Sequence, residues 1–538
     1  MTSPKIVAPT RAIPARPNLE FDRKQAKSLL AALEAQEPEA LARLAARHPR
    51  QAIPGAELKL ADAQLVIARE YGFTSWPQWK TFVETRGLER RRQAEIALKA
   101  SCSSDLARAR LLLNADPELA SEDPYLACAA GEIGPVRAAL SREPDWINRA
   151  GGVNGWMPLH YACFSRWLRA DAGRAGRIVE IVKLLLDAGA DPNAGFDEEG
   201  YRQVSLYGAA GIANNAALTR LLLEAGADVD DGYPPADPND MKVAPWGTET
   251  LYHASEFADT TCLEMVLARR PDPVRVSFCI YRAIDHDNAE AVRLFLQAGA
   301  DPNLCVSHLG AGNSLHFSIL RKAGVDILRQ LLEAGGDPRV LDREGYTPYR
   351  RAVSAGREDL AALFLEYGAS PDEALVEDRL QGALMRGQSV EQGELEKIPA
   401  HLLCQAALFN NLPAIQALLA AGANVNGDGE GTMCPVHEAA WRGHFEAVKI
   451  LVENGANILQ KNSYGGHALG TAIHGSENCF NLMGGPGMKL PEEAHAGQYP
   501  EIVAYLLAHG APKPEHIWGG SAPVREILRA HGVPDEAR

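Results

Sequence analysis

Residues 346–372, YTPYRRAVSAGREDLAALFLEYGASPD, decide how this chain folds. Thr347 suits the N-cap of a helix and Pro348 suits its first turn, where a missing backbone N–H costs nothing. A turn follows at residues 355–357, and a leucine-rich segment comes next. Gly368 stands where the residue after a helix adopts a left-handed conformation. The stretch therefore predicts two short helices joined by a tight turn.

Both halves of this pattern return along the chain. Gly335 and Gly368 are 33 residues apart, and so are Gly422 and Gly455. The glycine-containing half recurs as LLLDAGADPN (184–193), LLLEAGADVD (221–230), LFLQAGADPN (294–303), LLEAGGDPR (331–339), LLAAGANVN (418–426), LVENGANIL (451–459) and LLAHGAPKP (506–514). The upstream half recurs as MPLHYAC (157–163), NSLHFSI (313–319) and CPVHEAA (434–440). A fixed period of this length indicates a repeat array.

A 33-residue unit with T-P-L-H-x-A followed by LLL-x-x-G-A-D resembles the ankyrin repeat. The resemblance covers roughly residues 92–531 and implies an all-α solenoid of about eleven helix-turn-helix units. It also implies that the motif histidines, His160, His316 and His437, tie neighbouring turns together by hydrogen bonds. In such units the two residues that end each first helix face a concave groove.

The 33-residue period is absent outside residues 92–531, so we interpret the two ends of the chain separately. Residues 19–90 predict an N-terminal helical cap domain in which Trp76 and Trp79 pack helices together. The full set of predicted segments is a disordered tail at 1–18, the cap domain at 19–90, degenerate repeats at 91–150, the repeat array at 151–513 and a C-terminal cap at 514–538.

Spacings longer than the period mark insertions. From Gly455 to Gly510 is 55 residues instead of 33, and the surplus coincides with a segment rich in glycine and proline. The predicted insertions lie near 166–176, 230–250, 372–399 and 475–497. Long loops in a compact array are often functional. GGPGMKL, within the last insertion, lacks the glycine–lysine–hydroxyl order of a phosphate-binding loop, so we predict no nucleotide site.

Composition narrows the classes of function. The chain has 538 residues and a net charge of −15, without a dense lysine and arginine stripe, which argues against nucleic acid and an anionic membrane surface as partners. The nine cysteines are scattered and never form a CxxC pair, as expected for reduced thiols in the cytoplasm. No metal-ligand spacing is present, and we predict neither a metal nor a cofactor.

Candidate site residues come from the ends of the first helices. Their mixture of aromatic and charged side chains is typical of a recognition surface rather than of a plain solvated face. The predicted groove residues are Phe164, Glu256, Phe257, Asp285, His286, Arg321, Phe409, Trp441, Arg442 and His474.

Two functional hypotheses remain open from the sequence. The first is a cytoplasmic scaffold whose groove, with the loops at 230–250 and 475–497, holds a basic or neutral protein or peptide. The alternative is an enzyme or small-ligand protein in which the insertions close a pocket over the groove. Its acid–base residues would be Glu256, Asp285, His286 and His474. The same side chains could equally read a charged peptide.

Overall fold

In the computed structural model the chain is mostly helical and divides into two compact units, residues 1–190 and 191–538. The described residues are 9–14, 16–48, 58–73, 75–103, 105–198, 201–235, 249–305, 312–391, 394, 398–427, 434–479 and 497–534. The predicted all-α class is confirmed, with one short hairpin as the exception.

The first unit contains eleven α-helices within its described residues. They are α1 (Leu19–Glu34), α2 (Pro38–Arg47), α3 (Leu60–Glu70), α4 (Trp76–Arg86), α5 (Arg90–Ser101), α6 (Leu106–Ala115), α7 (Pro124–Ala130), α8 (Ile133–Arg142), α9 (Pro158–Cys163), α10 (Trp167–Ala170) and α11 (Ala172–Asp187). Short 3₁₀ turns at Pro117–Ser121 and Pro144–Asn148 follow α6 and α8.

The second unit begins with an antiparallel hairpin, β1 (Gly195–Glu198) and β2 (Tyr201–Val204), in which Gly195 pairs with Val204. Its helices are α12 (Ser205–Tyr207), continued by a π-turn at Gly208–Ile212, α13 (Ala216–Glu224), α14 (Glu249–Ala254), α15 (Thr261–Leu267), α16 (Pro273–Asp285), α17 (Ala289–Gln297), α18 (Ser314–Leu320), α19 (Val325–Glu333), α20 (Pro348–Ser354), α21 (Glu358–Glu366), α22 (Val376–Met385), α23 (Ala400–Leu408), α24 (Leu412–Ala420), α25 (Pro435–Arg442), α26 (Phe445–Glu453), α27 (Ala468–Asn478), α28 (Tyr499–Ala508) and α29 (Ala522–Ala530). A 3₁₀ turn spans Pro371–Glu373.

The helices stack in two layers within the second unit. First helices pack on first helices, as α14 does on α16 and α25 does on α27, and second helices pack on second helices, as α17 does on α19. From α5 onward the described residues contain eleven helix pairs, and α22 stands apart from them without a second helix. Each pair leaves one face apolar, so only a stacked neighbour can bury it.

The repeated glycines adopt the conformation that their position requires. All eight glycines that follow a second helix, from Gly189 to Gly510, have φ between +89° and +99°. A side chain in this left-handed region crowds the backbone, and glycine avoids that cost. Thr347 accepts a hydrogen bond from the Arg350 backbone N–H and Pro348 begins α20, as predicted.

The substitution Gly455→Val should destabilise the protein by about 1–2 kcal/mol. Gly455 has φ +90°, and nothing lies within 4 Å of an added Cβ atom, so the cost comes from the backbone alone. Urea unfolding of the variant and the wild type would measure it. An unchanged midpoint would show that the cap conformation is not needed there.

The motif histidines that the structure pairs join consecutive repeats, as the resemblance implied. His316 Nε2 lies 2.9 Å from the carbonyl oxygen of Tyr346, and His437 Nε2 lies 3.1 Å from that of Gln460. His160 is buried in the first unit. In the N-terminal helices, Trp79 is fully buried, stacks on Tyr71 and donates from Nε1 to Asp22 at 3.1 Å.

The predicted tail and two of the predicted insertions carry order that the sequence did not indicate. The backbone N–H groups of Thr10 and Arg11 both donate to the Glu70 carbonyl oxygen at 2.9 Å, so this part of segment 1–18 is attached rather than disordered. The segment 166–176 contains α10 and the start of α11, and 372–399 contains α22.

The other two insertions fall largely outside the described residues, which omit 236–248 and 480–496. The described residues correct one predicted helix boundary. The first helix of the last repeat does not end at His474, because α27 continues to Asn478. His474 and Gly475 therefore lie within a helix rather than at the root of a loop.

Candidate functional site

An ion-pair row runs along the first-helix ends of α14, α16 and α18. It consists of Glu249, His253, Glu256, Arg282, Asp285 and Arg321. Its centre is Glu256, whose side chain is almost inaccessible to solvent. His253 Nδ1 donates to Glu256 Oε1 at 2.6 Å, and Arg282 Nε donates to the same oxygen at 2.7 Å.

The row continues on both sides of this carboxylate. His253 Nε2 lies 3.1 Å from Glu249 Oε2, and Arg321 Nε lies 2.7 Å from Asp285 Oδ1. Arg282 Nη1 also lies 3.8 Å from Asp285 Oδ2, which joins the two halves. Neighbouring repeats are therefore bound to each other by alternating charges as well as by apolar packing.

The electrostatics of the row are set by the competition between burial and opposite charge. Burial would raise the pKa of the Glu256 carboxyl, but the charges of His253 and Arg282 and the hydrogen bond from His253 hold it well below its usual range. Burial would lower the pKa of His253, yet the charge of Glu256 and the bonds to both glutamates raise it to about 9. At neutral pH the pair is therefore ionised.

His286 differs from His253 although it lies close to the same carboxylate. Its Nε2 is 4.0 Å from Glu256 Oε1, and burial lowers its pKa to about 4 against the opposing effect of Glu256. The imidazole is neutral at pH 7. Of the four residues suggested for acid–base work, Glu256, Asp285 and His286 come together, whereas His474 belongs to a different cluster.

That second cluster is an aromatic row formed by Trp441, His474 and Trp518. The ring centroids of Trp441 and His474 are 5.4 Å apart, and those of His474 and Trp518 are 6.4 Å apart. Trp518 is 49% exposed, which is a large apolar surface to leave in water. Glu477, which follows His474 on α27, pairs with Arg525 at 3.3 Å.

Exposure separates the ten predicted groove residues into two groups. Glu256, Phe257 and Phe164 are 0%, 3% and 5% exposed, so they pack inside the protein and do not form a contact surface. Phe164 also belongs to the first unit, whereas the other nine belong to the second. Those that retain exposure are Asp285, His286, Arg321, Phe409, Trp441, Arg442 and His474.

A small pocket of about 150 Å³ opens beside Phe409. It is lined by the ends of α18, α20, α22 and α23, and Lys322 Nζ lies 5.5 Å from the centre of the Phe409 ring. Gln405 Nε2 donates to the Leu320 carbonyl oxygen at 3.4 Å and so joins α23 to α18.

Sequence reasoning missed His253, Arg282 and Trp518. The first two could have been predicted, because each lies three residues before a predicted site residue on the same first helix or just beyond its end. Residues three apart share a helix face. Trp518 gave no such signal, since it lies outside any first helix.

The base of the 230–250 insertion is closed by a buried aspartate. Asp231 is 1% exposed and accepts hydrogen bonds from the backbone N–H of Thr250, at 3.0 Å, and from its hydroxyl. Burial raises the pKa of Asp231 to about 8, although the bonds from Thr250 oppose it. Its φ of +56° suits asparagine as well as aspartate.

The substitution Asp231→Asn should stabilise the protein increasingly as pH rises, by about 3–4 kcal/mol between pH 5 and pH 8. The folded-state pKa of Asp231 lies above its ordinary value of 3.8, so its stabilising contribution is complete below that value and is lost as pH rises through about 8. Melting temperatures of variant and wild type at several pH values would measure the difference.

Asp259→Asn is the matched control, because hydrogen bonds from Thr261 lower the pKa of Asp259. The stability difference between Asp259→Asn and the wild type should stay constant between pH 5 and pH 8. A constant difference for Asp231→Asn as well would contradict the shift.

The described residues form neither a membrane-spanning helix nor a metal-binding cluster. No helix among them is both long and apolar enough to cross a bilayer. They also hold no group of three or more histidine, cysteine or carboxylate side chains arranged to bind a metal ion.

Family models agree with the repeat geometry. The model for ankyrin repeats in three copies matches residues 280–374 and 403–490, and the model for a single ankyrin repeat matches 154–195. The chain is an ankyrin-repeat protein. The matched ranges include Asp285, Arg321, Trp441 and His474, so most of the candidate site lies on repeats of this family.

Curated proteins similar to this ankyrin-repeat protein match it over only part of their own length. They include the E3 ubiquitin-protein ligase KEG of Arabidopsis thaliana, 26% identical over 37% of this chain and 14% of that protein. The putative palmitoyltransferase ZDHHC13 of Danio rerio is 26% identical over 41% and 32%, and the mouse B-cell lymphoma 3 protein homolog 27% identical over 39% and 42%. The chain thus spans less than half of each relative.

Solved structures similar to the ankyrin-repeat protein include the human ASB11 ankyrin repeat domain, with 20% identity and a TM-score of 0.21 over 41% of this chain and 90% of that one. An ankyrin repeat domain from Acinetobacter baumannii is 24% identical, with a TM-score of 0.31, over 40% and 98%.

Proposed function

We propose that the second unit binds a segment of a partner protein along its first-helix ends. The observation that carries the proposal is the aromatic row, because Trp518 stays 49% exposed beside Trp441 and His474. Tryptophan supplies large contact area at low conformational cost and dominates the energetics of many interfaces. Ankyrin repeats are in general modules for protein–protein interaction, which agrees with this use.

The ion-pair row supports binding rather than acid–base chemistry. A general acid or base works best with a pKa near the working pH. The pKa of Glu256 lies far below that range, so its carboxylate stays ionised, and His253 and Arg282 both bond to it. We propose that the row keeps the repeats in register under the binding surface. The basic or neutral character of the partner and the cytoplasmic location stay predictions.

The proposal is tested by selecting peptides from a random displayed library on the full chain. Trp518→Ala should weaken binding of the selected peptides about tenfold or more, as expected for an exposed aromatic anchor. Trp441→Ala should do the same, although part of its ring packs on the core. The control is Tyr464→Ala, which removes an aromatic side chain that is 89% exposed and lies outside the aromatic row.

Equal peptide affinity of the wild type and all three variants would show that the aromatic row is not part of the binding surface. A library that yields no enriched peptide would contradict the proposed function itself.

A further inference from the structure

Glu438 lies on α25 one turn before Trp441 and Arg442, so the three side chains share a helix face. Its side chain is partly exposed. Burial raises the pKa of the Glu438 carboxyl above its usual value, and the charges of Arg321 and Arg442 oppose this effect. Among the described residues, no donor forms a hydrogen bond or an ion pair with this carboxylate.

Neither of the two arginines near Glu438 forms a salt bridge with it within the described residues. Arg321 Nε lies 2.7 Å from Asp285 Oδ1, which neutralises its charge. Arg442 Nη1 lies 3.9 Å from Cys479 Sγ. Glutamate and arginine four residues apart on a helix usually pair, but Glu438 and Arg442 do not. Among the described residues, the Glu438 carboxylate is therefore partly buried and forms no ion pair, although the charges of Arg321 and Arg442 act on it.

An aromatic surface adjoins this carboxylate. Trp441 lies one turn further along α25, and the aromatic row continues from it to His474 and Trp518. A long basic side chain matches both features, because its apolar stem can lie across an aromatic ring while its charged head reaches the carboxylate. The net charge of −15 would attract such a partner over a longer distance.

We propose that Glu438 and Trp441 together bind an arginine or lysine side chain of the partner segment. The cation bonds to the Glu438 carboxylate, and its stem packs on the Trp441 ring. This inference rests on the proposed function and specifies the kind of partner side chain that the surface binds. Arg442 carries a like charge close to the bound cation and should weaken its binding.

The test uses pools of short random peptides that differ only in one fixed central residue: arginine, lysine, glutamine or glutamate. Binding to the full chain is measured by fluorescence anisotropy. The arginine and lysine pools should bind about tenfold more tightly than the glutamine pool, as expected for a charge-assisted bond. Glu438→Gln should abolish this preference, and Arg442→Gln should increase it.

An acidic partner would give the opposite pattern. The glutamate pool would then bind best, Arg442→Gln would abolish the preference, and our inference would be overturned while the proposed function survived. Equal binding of all pools to wild type and both variants would overturn it in the same way. No binding by any pool would contradict the inference and the proposed function together.

A stability measurement separates recognition from a purely structural role. If Glu438 serves only to pair with neighbouring arginines, Glu438→Gln should lower the melting temperature. We expect it to stay equal or rise at pH 8, because the carboxylate is partly buried and no described residue bonds to it. A clear fall in melting temperature together with an unchanged peptide preference would overturn the proposal.

Discussion

The substitution Glu256→Gln is expected to destabilise the protein by about 3–5 kcal/mol, the usual cost of removing one partner of a buried ion pair. The change leaves Arg282 and His253 facing an uncharged amide in an almost dry site. The oxygen of a neutral amide can still accept hydrogen bonds, but the amide carries no charge to balance the two cations. Equilibrium unfolding in urea would measure the loss.

Glu290→Gln is the matched control for Glu256→Gln. Glu290 also pairs with an arginine, Arg293, but on the surface of α17, where both side chains are about half exposed. Its loss should cost less than about 1 kcal/mol. Equal losses in the two variants would show that burial does not govern the strength of these pairs.

The same prediction carries a pH dependence. The folded-state pKa of His253 is raised to about 9 from 6.5, so its contribution is complete below 6.5 and is lost as pH rises through 9. The deficit of Glu256→Gln should therefore be full near pH 6 and smaller at pH 10, where His253 is neutral. A deficit that grows between these two pH values would contradict the pairing.

The second large effect is expected for Gly475→Ala, at about 3 kcal/mol. A Cβ atom at Gly475 would lie 2.5 Å from the Trp441 carbonyl oxygen on the neighbouring helix α25. That oxygen also accepts a hydrogen bond from the buried Tyr499 hydroxyl at 2.8 Å. Because the obstacle is backbone, relief requires α25 and α27 to move apart, which would also displace the aromatic row.

Gly470→Ala is the control on the same helix, and its effect should have the opposite sign. Nothing lies within 4 Å of an added Cβ atom at Gly470. Alanine is the better helix former by up to about 1 kcal/mol, so this variant should be slightly more stable. Tryptophan fluorescence should change in Gly475→Ala but not in Gly470→Ala. Destabilisation by both substitutions would indicate a helix effect rather than a close helix contact.

Much of the fold could be predicted from the sequence because helix caps depend on neighbouring residues only. The left-handed conformation of Gly335, Gly368 and their counterparts follows from a helix that ends two residues earlier, and no distant contact is needed for it. Thr347 and Pro348 likewise begin α20 by capping chemistry alone. The helix boundary predicted at His474 was wrong because α27 continues beyond it to Asn478.

Only part of the candidate site could be predicted, because local rules fix helix ends but not the contacts between helices. The positions at the ends of the first helices pointed to Asp285, Arg321 and Trp441, since each repeat has one such helix. It could not select the partners of Glu256, since His253 and Arg282 meet that carboxylate from two different helices. Nor could it show that Phe257 points into the core.

Sequence by itself therefore determined the repeating unit, its caps and the helices on which the site lies, because these depend on interactions within about 33 residues. Tertiary structure alone decided which charges meet and which are left without a partner. Arg321 pairs with Asp285 and not with Glu438, and Gly475 lets α27 approach α25 closely enough to align Trp441 with His474. Ångström-scale distances between stacked helices govern both outcomes, and these distances come from the packing of whole repeats rather than from any local pattern.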